Sequence, residues 1–106
     1  MDMRSAIYSN TTPITQTWWY AKVDGRTFHG YRGRIFYARK ADIKAVMRFT
    51  AIGEQVRICA DNYWEFTTKQ TNRFSQAARQ ERQKIRDMFW KEFLNSGRVE
   101  FGSVTV

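Results

Sequence analysis

The sequence predicts an α+β domain: an antiparallel sheet of about five or six strands, formed by an N-terminal hairpin and a meander, packed against one long C-terminal helix and completed by a final strand. Three observations carry that expectation. β-forming residues flank Asp24-Gly25, short apolar runs between residues 34 and 67 are separated by turn-forming pairs, and a long amphipathic segment closes at Gly97.

A chain of 106 residues fits a single domain, 1–106, whose core needs no staple. Residues 1–13 are polar, end at Pro13 and read as a loose N-terminal segment. The run "TWWYAKV" (17–23), the turn "DG" and the run "RTFHGY" (26–31) then form a hairpin, because Asp-Gly tolerates the positive φ of a type I′ turn. "RIFYAR" (34–39) reads as a further strand. Residues 41–48 fit either periodicity, with strand favoured from about Val46. "QVRICA" (55–60) and "YWEFT" (63–67) complete the meander. Residues 72–96 form the helix, with Phe74, Ala78, Ile85, Met88 and Phe89 in one stripe and Gly97 at the left-handed position after its end. A last strand covers 98–106.

A two-residue turn fixes the register of the hairpin. It opposes Val23 to Arg26, Ala21 to Phe28 and Trp19 to Gly30 on a face expected to be mostly core. On the other face it opposes Lys22 to Thr27, Tyr20 to His29 and Trp18 to Tyr31. That second face would gather Trp18, Tyr20, Lys22, His29 and Tyr31, with Arg32, Arg34 and Arg39 on the adjoining turn and strand. Rings that stack on bases beside guanidiniums that neutralise phosphates are the equipment of sequence-tolerant single-strand binders. The same rings could instead be buried beneath the helix or form a dimer interface.

Charge points the same way. The net charge is +8, and residues 26–48 hold seven basic side chains against Asp42 alone, a local excess suited to an anionic partner. Arg79, Arg82 and Arg86 fall on one helical stripe leading to Trp90. They read as a phosphate-tracking ridge, as a protein interface anchored on Trp90, or as a solvated face balanced by acids. Glu81 falls inside the apolar stripe and requires either a hydrogen-bonding partner or an edge position that reaches solvent.

The inventory for catalysis is short. His29 is the sole imidazole, so the enzymatic alternative is a nuclease using it with Glu65 or Glu81 and an arginine. One Cys and one His do not close a tetrahedral zinc site, and no metal or cofactor is expected. Cys59, between Ile58 and Ala60, reads as a buried thiol in a reducing compartment. Without an apolar leader or a run of about 18 apolar residues, neither secretion nor a membrane span is expected, which suggests the cytoplasm. "GYRG" has the G-x-x-G spacing of a KH loop but lies between strand-like runs, and Arg34 stands where an RNA-recognition motif wants an aromatic. The leading expectation is non-enzymatic binding of nucleic acid, RNA or single-stranded DNA. The alternative is a small inhibitor or adaptor, of the kind a phage or mobile element encodes, that docks on a host protein or nucleic-acid-handling complex. A homodimer is compatible with either.

Overall fold

The computed structural model describes residues 15–68 and 72–106. The expectation of a loose segment at 1–13 lies outside the described residues. The order is β1 (Thr17–Val23), β2 (Arg26–Thr27), a 3-10 turn (Tyr31–Gly33), α1 (Lys40–Met47), α2 (Ala51–Thr67), α3 (Gln76–Leu94) and β3 (Val99–Thr105). The α+β class holds, but the described sheet has three antiparallel strands, in the order β2-β1-β3, rather than five or six.

The hairpin turns where Asp24 and Gly25 take φ of 53° and 79°, the left-handed pair that a type I′ turn requires. Lys22 faces Thr27, Val23 faces Arg26, and the Phe28 N–H donates to the Ala21 carbonyl at 2.6 Å, all as the sequence predicts. Beyond Phe28 the ladder breaks. The chain reverses through Arg32 (φ 58°) and Gly33 (φ 70°), His29 bridges Ile35, and Ala38 takes the place beside Trp19 with N–H···O distances of 2.8 and 3.1 Å. The expected oppositions of Trp18 to Tyr31, Trp19 to Gly30 and Tyr20 to His29 therefore do not form. The detour returns Phe36 and Ala38 to the core rim beside Trp19. Phe36 packs so tightly on Gly30 that a Cβ there would stand 2.8 Å from the Phe36 Cβ.

The predicted meander is helical. Ile52, Val56, Ala60 and Trp64 recur every four residues and lie on one side of α2, whereas a strand keeps that side chain set together only by sacrificing the residues between them. Arg57 adds a helical signature by bonding Glu54 and Asp61, one turn before and one turn after it. Cys59 consequently points outward and is exposed, not buried.

The core lies on one face of the sheet. Ala21, Val23, Phe28 and Val99 meet Ile43 and Met47 of α1 and Trp90 and Phe93 of α3, with Trp19 and Phe101 at the rim. β3 follows α3 through Gly97 (φ 86°) and pairs with β1 along its whole length, from Val23 with Val99 to Thr17 with Thr105. Ser75 caps α3, its hydroxyl accepting from the Ala78 N–H. Since α2 lies alongside α3, the buried side of α3 turns from the expected stripe towards Trp90 and Phe93. Ala78 is buried, Ile85 and Phe89 are half-buried, and Phe74 and Met88 are exposed. The far half of the α2–α3 hairpin buries Ala60, Trp64 and Ala78 apart from the main cluster.

That hairpin carries a pH-dependent clasp. Asp61 accepts two bonds from Arg86 (2.7 and 2.9 Å) and one from Arg57 (2.7 Å). Burial alone would raise its pKa, but the Arg86 hydrogen bonds and the charges of Arg86 and Arg57 outweigh burial and hold it below the ordinary 3.8. Asp87, bonded by Arg48 at 2.8 Å, is lowered too, chiefly by that bond. A carboxyl with a depressed folded-state pKa stabilises the fold above its unfolded-state value, and the contribution disappears as pH falls through the folded-state value. Urea midpoints of the wild type should therefore fall on acidification below about pH 5. Those of Asp61→Asn should start lower and fall less, and parallel curves would count against the clasp.

Candidate nucleic-acid interface

Side-chain alternation along β1 separates two surfaces. Trp19, Ala21 and Val23 face the helices, so Trp18, Tyr20 and Lys22 face the other way, opposite Val104, Gly102 and Glu100 of β3. No described helix packs on this outer side. Trp18 is 37% exposed, and Tyr20 and Lys22 are half-buried. Tyr20 lies over Gly102, where a Cβ would come within 2.6 Å of its hydroxyl oxygen. The glycine thus gives the ring a flat bed on the sheet.

The bridge between Trp19 and Ala38 extends this surface. In antiparallel register it sets Tyr37 beside Tyr20 and Arg39 beside Trp18, and the Tyr20 and Tyr37 rings meet edge to face at 5.9 Å. Tyr37 and Ile35 are 48% and 41% exposed, and Arg39 is exposed with its Nε bonded to Asp42 at 2.8 Å. The eight predicted residues thus divide four and four: Trp18, Tyr20, Lys22 and Arg39 share the outer face, while the other four lie in the loop that follows β2. His29, Tyr31, Arg32 and Arg34 all belong to the edge loop, exposed, with the Arg32 guanidinium 5.0 Å from the Tyr31 ring centroid. Tyr37 is the ring the predicted set lacks. Its signal is the alternation of Ile35, Tyr37 and Arg39 against Phe36 and Ala38 within "RIFYAR".

The predicted ridge on α3 is largely engaged within the fold. Arg86 clasps Asp61, while Arg82 lies 4.9 Å from the Trp64 ring centroid and donates to the Arg73 carbonyl at 3.0 Å. Trp90 is 8% exposed, packed on Phe93 under the Arg48 guanidinium, so a substitution there acts first on the core. Arg79 remains exposed. Glu81 is held at the hairpin edge, accepting from Trp64 Nε1 (2.8 Å) and Thr68 Oγ1 (3.1 Å). Glu65 pairs with Arg73. Among the described residues neither glutamate is joined to His29 by a hydrogen bond or ion pair.

Charge is distributed unevenly over these surfaces. Arg39, Arg48, Arg57, Arg73, Arg86 and Arg98 each hold a carboxylate. Among the described residues, Lys22, Arg26, Arg32, Arg34, Lys40 and Lys44 have no carboxylate within ion-pair distance. These six come from the sheet, its edge loop and α1, and among the described residues α3 adds others at Arg79, Arg82, Lys84 and Lys91. Among the described residues no cluster of His, Cys, Asp and Glu is suited to a metal ion, and no helix is long and apolar enough to cross a membrane.

Comparison with family models, with curated proteins and with solved structures finds no match to this chain.

Proposed function

We propose that this protein binds single-stranded nucleic acid, RNA or DNA, without catalysing a reaction on it, through the outer face of its sheet. The observation that carries this reading is the row of Trp18, Tyr20 and Tyr37 on which no described helix packs, bordered by Lys22, Arg39 and the loop cations Arg32 and Arg34. Flat rings accept bases of any sequence, and cations beside them neutralise the backbone that links the bases. A duplex hides its base faces within its stack, so the rings favour a single strand over B-form DNA.

The test is a titration of labelled oligothymidylate and oligouridylate with the purified protein at low salt, beside the duplex of the same length. Saturable binding of either single strand, weakened steeply by salt and tighter than the duplex, is expected. Failure to saturate at low salt would discard the reading.

A second reading is docking on a host protein, as an inhibitor or adaptor. It is favoured by the apolar flank of the α2–α3 hairpin, where Tyr63, Phe66 and Met88 are 46%, 91% and 45% exposed. Recovery of a stoichiometric protein partner that survives nuclease treatment, and its loss with Phe66→Ser, would support that reading instead.

A further inference from the structure

The chain leaves the sheet edge at Ala38 and enters α1 at Lys40, so Arg39 and Lys40 sit on either side of a corner. Arg39 is exposed beside Trp18 on the outer face, whereas Lys40 reaches the opposite one. There the Lys40 Nζ lies 5.0 Å from the Trp19 ring centroid and 4.9 Å from that of Phe101, and the Lys44 Nζ stands 5.5 Å from Phe101. Two ammoniums therefore converge on the Phe101 ring. Asp42 is the one acid between residues 26 and 48, and Arg39 occupies both of its oxygens.

Ring contact alone explains where the lysine stems lie, since long cationic side chains cover apolar surface with their methylenes. It does not explain why two such charges should be kept together with no carboxylate among the described residues beside them. At the end of α1, on α2 and at the α2–α3 contact, Arg48, Arg57 and Arg86 are each matched by an acid. Like charges gathered without a counterion raise each other's energy and are relieved by a polyanion.

We infer that Lys40 and Lys44 hold backbone phosphates of the same strand whose bases stack on the outer face, the strand bending round the Arg39–Lys40 corner. This inference rests on the proposed nucleic-acid reading and extends its site to α1. Trp19 and Phe101 serve as positioning residues, fixing both ammoniums on the inner side of the corner. A strand held on both sides must bend sharply, which a single strand does readily and a duplex does not.

The experiment is the salt dependence of oligothymidylate binding to wild type and to Lys40→Met/Lys44→Met, in which methionine keeps a flexible apolar stem over the rings and removes the charge. Each phosphate released from a cation lowers the magnitude of the log–log slope by about 0.7, so the double variant should show a slope smaller by about 1.4. Lys40→Arg/Lys44→Arg should restore the wild-type slope, and Lys84→Met on α3 should leave it unchanged. Should circular dichroism show the double methionine variant unfolded, the exposed Lys40→Met alone carries the test, with a decrease of about 0.7. A wild-type slope in the folded methionine variants would overturn the inference while leaving the outer-face reading standing, and would assign the lysines to packing alone. Absence of saturable wild-type binding would remove both.

Discussion

Replacing Trp64 with alanine should lower the free energy of unfolding by about 3–5 kcal/mol, the range for removing a large aromatic from a packed site. Trp64 is 1% exposed and is the largest fully buried side chain among the described residues. It fills the contact between the far halves of α2 and α3 where, among the described residues, only Ala60 and Ala78 are otherwise buried. Its indole N–H also holds Glu81 at 2.8 Å, and the Arg82 guanidinium lies across its ring. Trp64→Phe should cost less, because it keeps most of the apolar volume and loses the hydrogen bond and part of the ring. Urea unfolding followed by circular dichroism ranks the two. An alanine variant with the wild-type midpoint would mean that the outer hairpin contributes nothing to the cooperative fold.

On the binding side, Trp18→Ala and Tyr37→Ala should each weaken single-strand binding by about 1–3 kcal/mol, the usual contribution of one base stacked on one aromatic ring. Neither belongs to the main core cluster, so both variants should keep their wild-type circular dichroism. Neither carries charge, so the salt slope should stay nearly constant while affinity falls. Removing Arg32 and Arg34 should do the converse, reducing the slope by about 0.7 for each phosphate that is no longer neutralised. Tyr31→Ala distinguishes the face from the loop. Its ring is 71% exposed, stands off the sheet and is covered on one side by Arg32, so it should matter less than Tyr37. Weakened binding on substitution of Tyr31 but not of Tyr37 would move the stacking site onto the loop.

The parts of this fold legible in the sequence are those that local chemistry specifies. Asp24-Gly25 determines the hairpin turn and, through it, the pairing of Lys22 with Thr27 and Val23 with Arg26. Gly97 takes the positive φ expected of it, although α3 ends at Leu94 rather than Ser96, and alternation within β1 separates Trp18 and Tyr20 from Trp19 and Ala21. The hairpin register stops at Phe28 because the strand itself stops there: Gly30 admits Phe36, and Gly33 takes a positive φ. Extending the pairing to His29 and Tyr31 puts two loop residues on the face and omits Tyr37.

The stretch 46–67 misleads for a different reason. Val56, Ile58, Tyr63, Trp64 and Phe66 are β-formers in short windows, and the four-residue recurrence from Ile52 to Trp64 emerges only over a span of 13 residues. Tertiary contact then decides in favour of the helix, since that stripe has α3 to pack against. Two of the ion pairs that neutralise arginines likewise depend on packing against α3. Arg86 and Asp61 are 25 residues apart, and Arg48 and Asp87 are 39 apart. That separation keeps the division between engaged and free cations out of reach of the sequence.

Whether the outer face of the sheet is the ligand surface can be read from the four indole N–H groups, which report on different parts of the molecule. Trp18 lies on that face, Trp19 behind it beside Lys40, Trp64 in the outer hairpin and Trp90 in the core. In a 15N-labelled protein titrated with oligothymidylate, the Trp18 indole resonance should shift saturably, with Trp19 following to a smaller extent, while Trp64 and Trp90 stay in place. Saturable shifts confined to Trp64 or Trp90, or none at Trp18 under conditions where the oligonucleotide binds, would contradict the assignment of the ligand to this face.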